Sequence, residues 1–173
     1  MSVEDSLDKF DKRLRQQARS NLTKNGSNDT KKLYDSFKSE TKVSKNSFSY
    51  SFFMEFYGNF QNEGVRGAGG VRKTTSKFNR KNNKGKLWKI KSKNSRFKFG
   101  KSGGISPKHF EGWAKRKGLS PFAVAKSVYH QGIEANHFLD KAFNSAFKTL
   151  PDEIVEAYGL EVESFLKFAI NKK

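Results

Sequence analysis

Ser47-Phe48-Ser49-Tyr50-Ser51-Phe52-Phe53-Met54 is the stretch on which the fold turns. Phe48, Tyr50, Phe52 and Met54 recur at every second position, with serines between them and Phe53 alone out of step. A period of two with aromatic residues on one side describes a strand with one buried face. Upstream, Lys38 to Ser44 alternates more softly, and Lys45-Asn46 separates the two runs. The pattern predicts a β-hairpin over 38–57, preceded by one short helical turn at Leu33 to Phe37.

Outward from the hairpin the period changes. Val3, Leu7, Phe10, Leu14, Ala18 and Leu22 recur every three or four residues and line one face of a long helix over 3–24, which Asn25-Gly26 stops. Residues 27–32 form a polar loop. Beyond residue 104 the chain reads helical again. Ser106-Pro107 and Ser120-Pro121 each put a hydroxyl before a proline at a first helical position. Helix 106–117 would bury Phe110 and Trp113, and helix 120–131 would bury Phe122, Val124, Ala125, Val128 and Tyr129. Helix 136–149 carries Phe138, Leu139, Ala142, Phe143, Ala146 and Phe147. A last helix from Pro151 uses Ile154, Val155, Tyr158, Val162, Phe165, Leu166 and Ile170, with a bend at Gly159.

Between hairpin and helices lies a segment of different chemistry. No Asp or Glu occurs between Glu63 and Glu111, and that gap holds 15 of the 35 Lys and Arg residues. The net charge is +18, so everything outside the gap carries only +3. Leu87, Trp88, Ile90, Phe97 and Phe99 interleave with the cations, and their alternation predicts a second, basic hairpin turning at Lys93-Asn94-Ser95. Cations neutralise phosphates and aromatic rings stack on bases, so the segment reads as a contact surface. Its candidate residues are Arg66, Arg72, Lys73, Arg80, Lys81, Lys84, Lys86, Trp88, Lys89, Lys91, Arg96, Phe97 and Lys98. Charge alone attracts a nucleic acid or an acidic protein face equally well; the third reading is a small hairpin core with solvated charges.

Composition excludes several classes. Aromatic residues make up 14% of the 173 residues, too many for a disordered tail. The absence of cysteine removes disulfides, thiolate nucleophiles and Cys-based metal sites. No apolar run approaches the roughly 18 residues of a membrane span, and the polar start MSVEDSLDKF has no signal core. These features predict a protein made in a reducing cytoplasm, with no membrane partner.

Chemistry-bearing motifs are scarce. Gly64, Gly67, Gly69 and Gly70 lack the spacing of a phosphate-binding loop, and Arg72 stands where a dinucleotide motif needs its third glycine. The cluster reads as a flexible loop. His109, His130 and His137 have no metal-ligand spacing, and Asp152-Glu153 sits where a helix start favours acids anyway. No catalytic, cofactor-binding or metal residue is expected.

The elements together predict an α+β fold in one domain over 1–173. An antiparallel sheet of two hairpins would pack against a long N-terminal helix and several C-terminal helices, with 64–104 a protruding basic insertion.

Three stretches give this order of elements a likeness. Leu33-Tyr34-Asp35-Ser36-Phe37-Lys38 looks like an entry into a first strand. Phe53-Met54-Glu55-Phe56-Tyr57-Gly58 resembles a strand end before a loop. Gly132-Ile133-Glu134-Ala135-Asn136-His137-Phe138-Leu139-Asp140-Lys141-Ala142-Phe143 is similar to the start of a late helix. In that order they resemble the head–tail joining and tail-completion proteins of tailed bacteriophages, with the basic segment in the place of the family's variable inter-strand loop. The resemblance implies an α+β fold and a homo-oligomeric ring in the neck of the virion, assembled in the host cytoplasm, with no enzymatic activity. Implied partners are a portal or adaptor ring, tail proteins, and either packaged DNA or an acidic protein face. The alternative is a free nucleic-acid-binding protein using 64–104.

Overall fold

The computed structural model describes residues 2–44, 47–72, 86–100 and 102–159. The protein is a mixed helix-and-sheet, α+β structure. It divides into two compact units: Met1–Glu55 with Phe138–Lys173, and Phe56–His137 between them. A single domain with a 64–104 insertion was the expectation; the compact inserted piece is larger and carries its own helices.

The first unit is built on α1, Val3–Lys24. Ser2 caps its start: the Asp5 amide donates to Ser2 Oγ at 3.1 Å, and the Ser2 amide donates to Asp5 Oδ2 at 3.0 Å. The Ser2 backbone and side-chain hydrogen bonds hold the Asp5 carboxyl below the usual carboxylate range. All six apolar residues of the predicted face are buried. They pack with Leu33, on the short helix α2 (Lys32–Asp35), and with Phe37 beyond it.

Strand β1 (Lys38–Ser44) pairs antiparallel with β2 (Ser47–Phe53), in a register running from Lys38 opposite Phe53 to Ser44 opposite Ser47. Tyr50, Phe52 and Met54 lean on the core, as their spacing requires. Helix α6 (Phe138–Phe147) and the helical stretch 150–159 close it with Phe138, Ala142, Ala146, Leu150, Ile154 and Ala157. Phe37 stacks on Phe138 at 6.0 Å, and Phe10 meets Tyr50 edge-on at 5.1 Å. Each fully buried Phe or Leu contributes about 1.5–3 kcal/mol. The rest of the predicted last helix, with Val162, Phe165, Leu166 and Ile170, lies outside the described residues.

The hairpin buries less than its alternation suggests. Every described residue from Glu40 to Ser49 is exposed, Phe48 at 40% and Val43 at 37%. Only the half of β2 next to the core finds a helix face to cover it.

The second unit begins with α3 (Tyr57–Glu63). Strand β3 (Val65–Arg66) pairs antiparallel with β6 (Gly132–Ile133), and β4 (Val71–Arg72) with β5 (Lys86–Leu87). A 3-10 turn, Pro107–Phe110, leads into α4 (Glu111–Arg116), and α5 spans Pro121–Gln131. Proline opens both the turn and α5, as expected. The buried residues of these helices are Ala114 and Ala125, not the large ones: Trp113 is 37% exposed and Phe122 74%. Trp113 and Phe122 stay at the surface, while Phe110 and Tyr129 are half-buried.

Glycines explain how the short strands come together. The 64–70 cluster is packed backbone, not a loose loop. A Cβ at Gly67 would collide with the carbonyls of His130 and Gln131. Gly132, at φ +90°, lies so close to the Val65 carbonyl oxygen that no side chain fits.

The second basic hairpin is absent. β5 pairs with β4, and residues 88–99 run along the backbone of 64–70 and 129–135. Trp88, Phe97 and Phe99 each have a different aromatic partner, and Leu87 is exposed, so their alternation did not mark one shared face.

Candidate anion-binding surfaces

Of the thirteen residues singled out in 64–104, Lys73, Arg80, Lys81 and Lys84 lie outside the described residues. Arg72 and Lys86 are opposite each other in the β4–β5 ladder. Arg66, Trp88, Lys91 and Phe97 are held by a backbone network. The Arg66 amide donates to the Phe97 carbonyl at 2.8 Å, and the Phe99 amide donates back to the Arg66 carbonyl at 3.0 Å. Ala68 and Gly69 donate to Tyr129 and His130, each at 2.9 Å, and Lys91 donates to Gln131 at 2.7 Å. Ser92 Oγ ties its segment to 133–135, donating to the Ile133 carbonyl at 2.8 Å and accepting from the Ala135 amide at 3.0 Å. The described ends of the segment are therefore woven into the backbone of their own unit.

The aromatic residues face inward. Trp88 lies parallel to His130 at 5.3 Å, Phe97 meets Phe60 edge-on at 4.8 Å, and Phe99 contacts Tyr129 at 6.1 Å. His130 Nδ1 sits 2.6 Å from the Gly69 carbonyl oxygen, so that nitrogen carries the proton and donates. All three rings that could have stacked on bases are engaged within the protein.

The cations divide into two groups. Arg96 pairs with Glu63 at 2.6 Å while its guanidinium lies over Phe97, and Lys91 pairs with Glu134 at 3.6 Å. Arg66, Lys89, Lys93 and Lys98 are exposed and form no ion pair with another described residue. Arg66 and Lys98 are neighbours across a parallel bridge. By sequence, the unit 56–137 contains nineteen Lys and Arg against Glu63, Glu111 and Glu134, a net +16 of the chain's +18. Its field is strongly attractive to any polyanion.

The first unit has a cationic surface that sequence reading passed over. Lys12, Arg15, Gln16, Arg19, Ser20, Thr23 and Lys24, with Tyr34, line a groove of about 720 Å³ along α1. The available signal was a second acid-free run, because no Asp or Glu falls between Asp11 and Asp29.

Among the described residues, no three His, Asp or Glu side chains converge as a metal site would require, and no helix is long and apolar enough to cross a membrane. No protein-family model, curated protein or solved structure matches the chain.

Proposed function

We propose that the chain is a ring-forming structural subunit of the neck of a tailed bacteriophage, joining a portal or adaptor ring to the tail. The observation that carries this reading is the β1–β2 ribbon. Its outer half, Glu40 to Ser49, is exposed throughout the described residues, yet it holds the apolar pair Val43 and Phe48 directly opposite each other. A two-stranded ribbon is marginal in water, and among the described residues each strand keeps one unpaired edge. A closed ring built head to tail supplies a neighbour to every such edge. The order of helix, hairpin and late helix in the first unit supports the same reading. The role asks for contacts and no catalysis.

The partner of the basic unit is a polyanion: packaged DNA or an acidic face of an adjoining ring. Native mass measurement of the purified protein, with mass and image analysis of intact particles, tests the assignment. A closed oligomer and a fixed copy number per particle are expected. A strictly monomeric protein, absent from particles, overturns it.

The second reading is a free nucleic-acid-binding protein, favoured by the concentration of +16 in residues 56–137. Such a protein remains monomeric while binding random oligonucleotides with a steep salt dependence.

A further inference from the structure

We infer that the groove along α1 is a nucleic-acid site, one that seats the phosphodiester backbone of a single strand. The inference does not rest on ring formation, and it concerns residues outside the basic segment.

The argument begins with the lining. Four cations, two hydroxyls, one amide and a tyrosine face the groove, and among the described residues no carboxylate does. An exposed lysine stripe is usually a solvated face, but here the two arginines are already fixed. Arg15 closes on the buried carboxylate of Asp11, whose other oxygen accepts from Tyr50 at 2.7 Å. Arg19 Nε donates to the Tyr34 carbonyl at 3.2 Å, and its guanidinium lies over the Tyr34 ring at 4.8 Å. A guanidinium has five N–H donors, so each arginine keeps free donors at a set position after these contacts. Fixing the donors beforehand removes much of the ordering cost of binding.

Spacing selects the ligand. Lys12 and Lys24 are twelve residues apart on one helix, roughly 18 Å, with Arg15 and Arg19 between them. A single phosphate would use one end of that row. A chain of regularly spaced phosphates can use all of it, and Gln16, Ser20 and Thr23 offer neutral donors along the same line. Arginine forks match phosphate oxygens, whereas nothing in the groove is shaped for one particular base. Contact through the backbone, independent of sequence, is the expected mode.

The test uses the full chain and a fluorescein-labelled 20-mer of thymidylate. Substituting Lys12→Gln, Arg19→Gln and Lys24→Gln together removes three contacts, because Arg15 is left to hold Asp11. The slope of log K against log salt should fall by about 2, and affinity near 0.1 M salt by about a hundredfold. The charge-matched triple Lys38→Gln, Lys42→Gln and Lys148→Gln, on exposed positions of the same unit, should move the slope by less than half a unit. With 5-iodouracil in the oligonucleotide, irradiation of the wild-type protein should give an adduct at Tyr34. The inference is overturned by equal slope changes in the two triples, by the absence of a Tyr34 adduct while the strand is bound, or by polyglutamate displacing the strand from Tyr34 at equal charge concentration. Native mass of the same samples reports assembly separately, so failure of the ring proposal is not mistaken for failure of this one.

Discussion

The Tyr50 hydroxyl donates a 2.7 Å hydrogen bond to Asp11 Oδ1, tying the hairpin to α1 through a carboxylate that is itself 6% exposed. Arg15 closes on the other carboxylate oxygen. A buried charge with both oxygens engaged is tolerated; with one partner removed, the remaining group bears the desolvation cost. Tyr50→Phe should cost about 1–2 kcal/mol and Asp11→Ala about 2–3 kcal/mol. Urea melts followed by α1 hydrogen exchange check both values. A Tyr50→Phe variant as stable as the wild type would show that the bond does not anchor the hairpin.

The same pair gives a pH dependence. Burial, and then the hydrogen bond to Asp11, push the Tyr50 hydroxyl well above its ordinary value of 10.0. The protonated phenol is neutral, so above about pH 10 the unfolded chain loses a proton that the folded chain keeps, and ionisation favours unfolding. This contribution is fully present below that pH and declines as the pH climbs toward the raised value. Thermal melts from pH 8 to 11 should show a steeper loss above about pH 10 in the wild type than in Tyr50→Phe. Parallel curves would remove Tyr50 as the cause.

How much of this was legible depends on the kind of contact. The six apolar positions of α1 are all buried because a single helix face meets a single core, and periodicity reports that geometry directly. Phe48 carries the same alternation as Tyr50 and Phe52, yet it is exposed, because the alternation does not say how far the covering helix extends. Trp88, Phe97 and Phe99 also alternate with cations, but each half-buried ring meets a different partner far along the chain. The α1 groove depends on Tyr34 approaching Arg19 from another element, which no local pattern records.

Gly132 tests the packing of the second unit. Its φ of +90° is strained for any other residue, and a Cβ there would strike the Val65 carbonyl oxygen and the Gly67 amide. Gly132→Ala should cost at least about 3 kcal/mol, from strain and overpacking together. Gly26→Ala, at φ +64° with open space around it, should cost only about 1–2 kcal/mol. Hydrogen exchange in Gly132→Ala should quicken at Arg66, Ala68 and Gly69, whose amides donate in this network, while α1 stays protected. Equal small losses in both variants would contradict the close approach.

The division of labour between rings and cations gives a fourth prediction. Trp88, Phe97 and Phe99 are engaged within the unit, so Phe97→Leu should lower its melting temperature and leave oligonucleotide affinity within about twofold, in contrast to surfaces that stack bases. Arg66→Gln with Lys98→Gln should do the reverse. Stability stays the same, while the salt slope for a single strand falls by about 1.4, or 0.7 for each lost phosphate contact. A Phe97→Leu variant with tenfold weaker binding and unchanged stability would mean that the ring stacks on bases.

The exposed ribbon gives the last prediction. Val43 and Phe48 face each other across β1 and β2 where no described residue covers them, and Phe53 at the other end of β2 is 48% exposed. In an isolated subunit, Phe48→Ser removes a ring that is already largely in water, so melting at low protein concentration should change by less than about 0.5 kcal/mol. In a ring the same side chain lies between subunits, where losing a buried aromatic costs about 2 kcal/mol or more at each contact. Closed oligomers should therefore disappear from native mass spectra of Phe48→Ser at concentrations where the wild type assembles. Lys38→Gln, at the base of the same hairpin, should leave assembly intact. If Phe48→Ser assembles normally, the ribbon is not the joint between subunits, and the neck-ring proposal loses the observation that carries it.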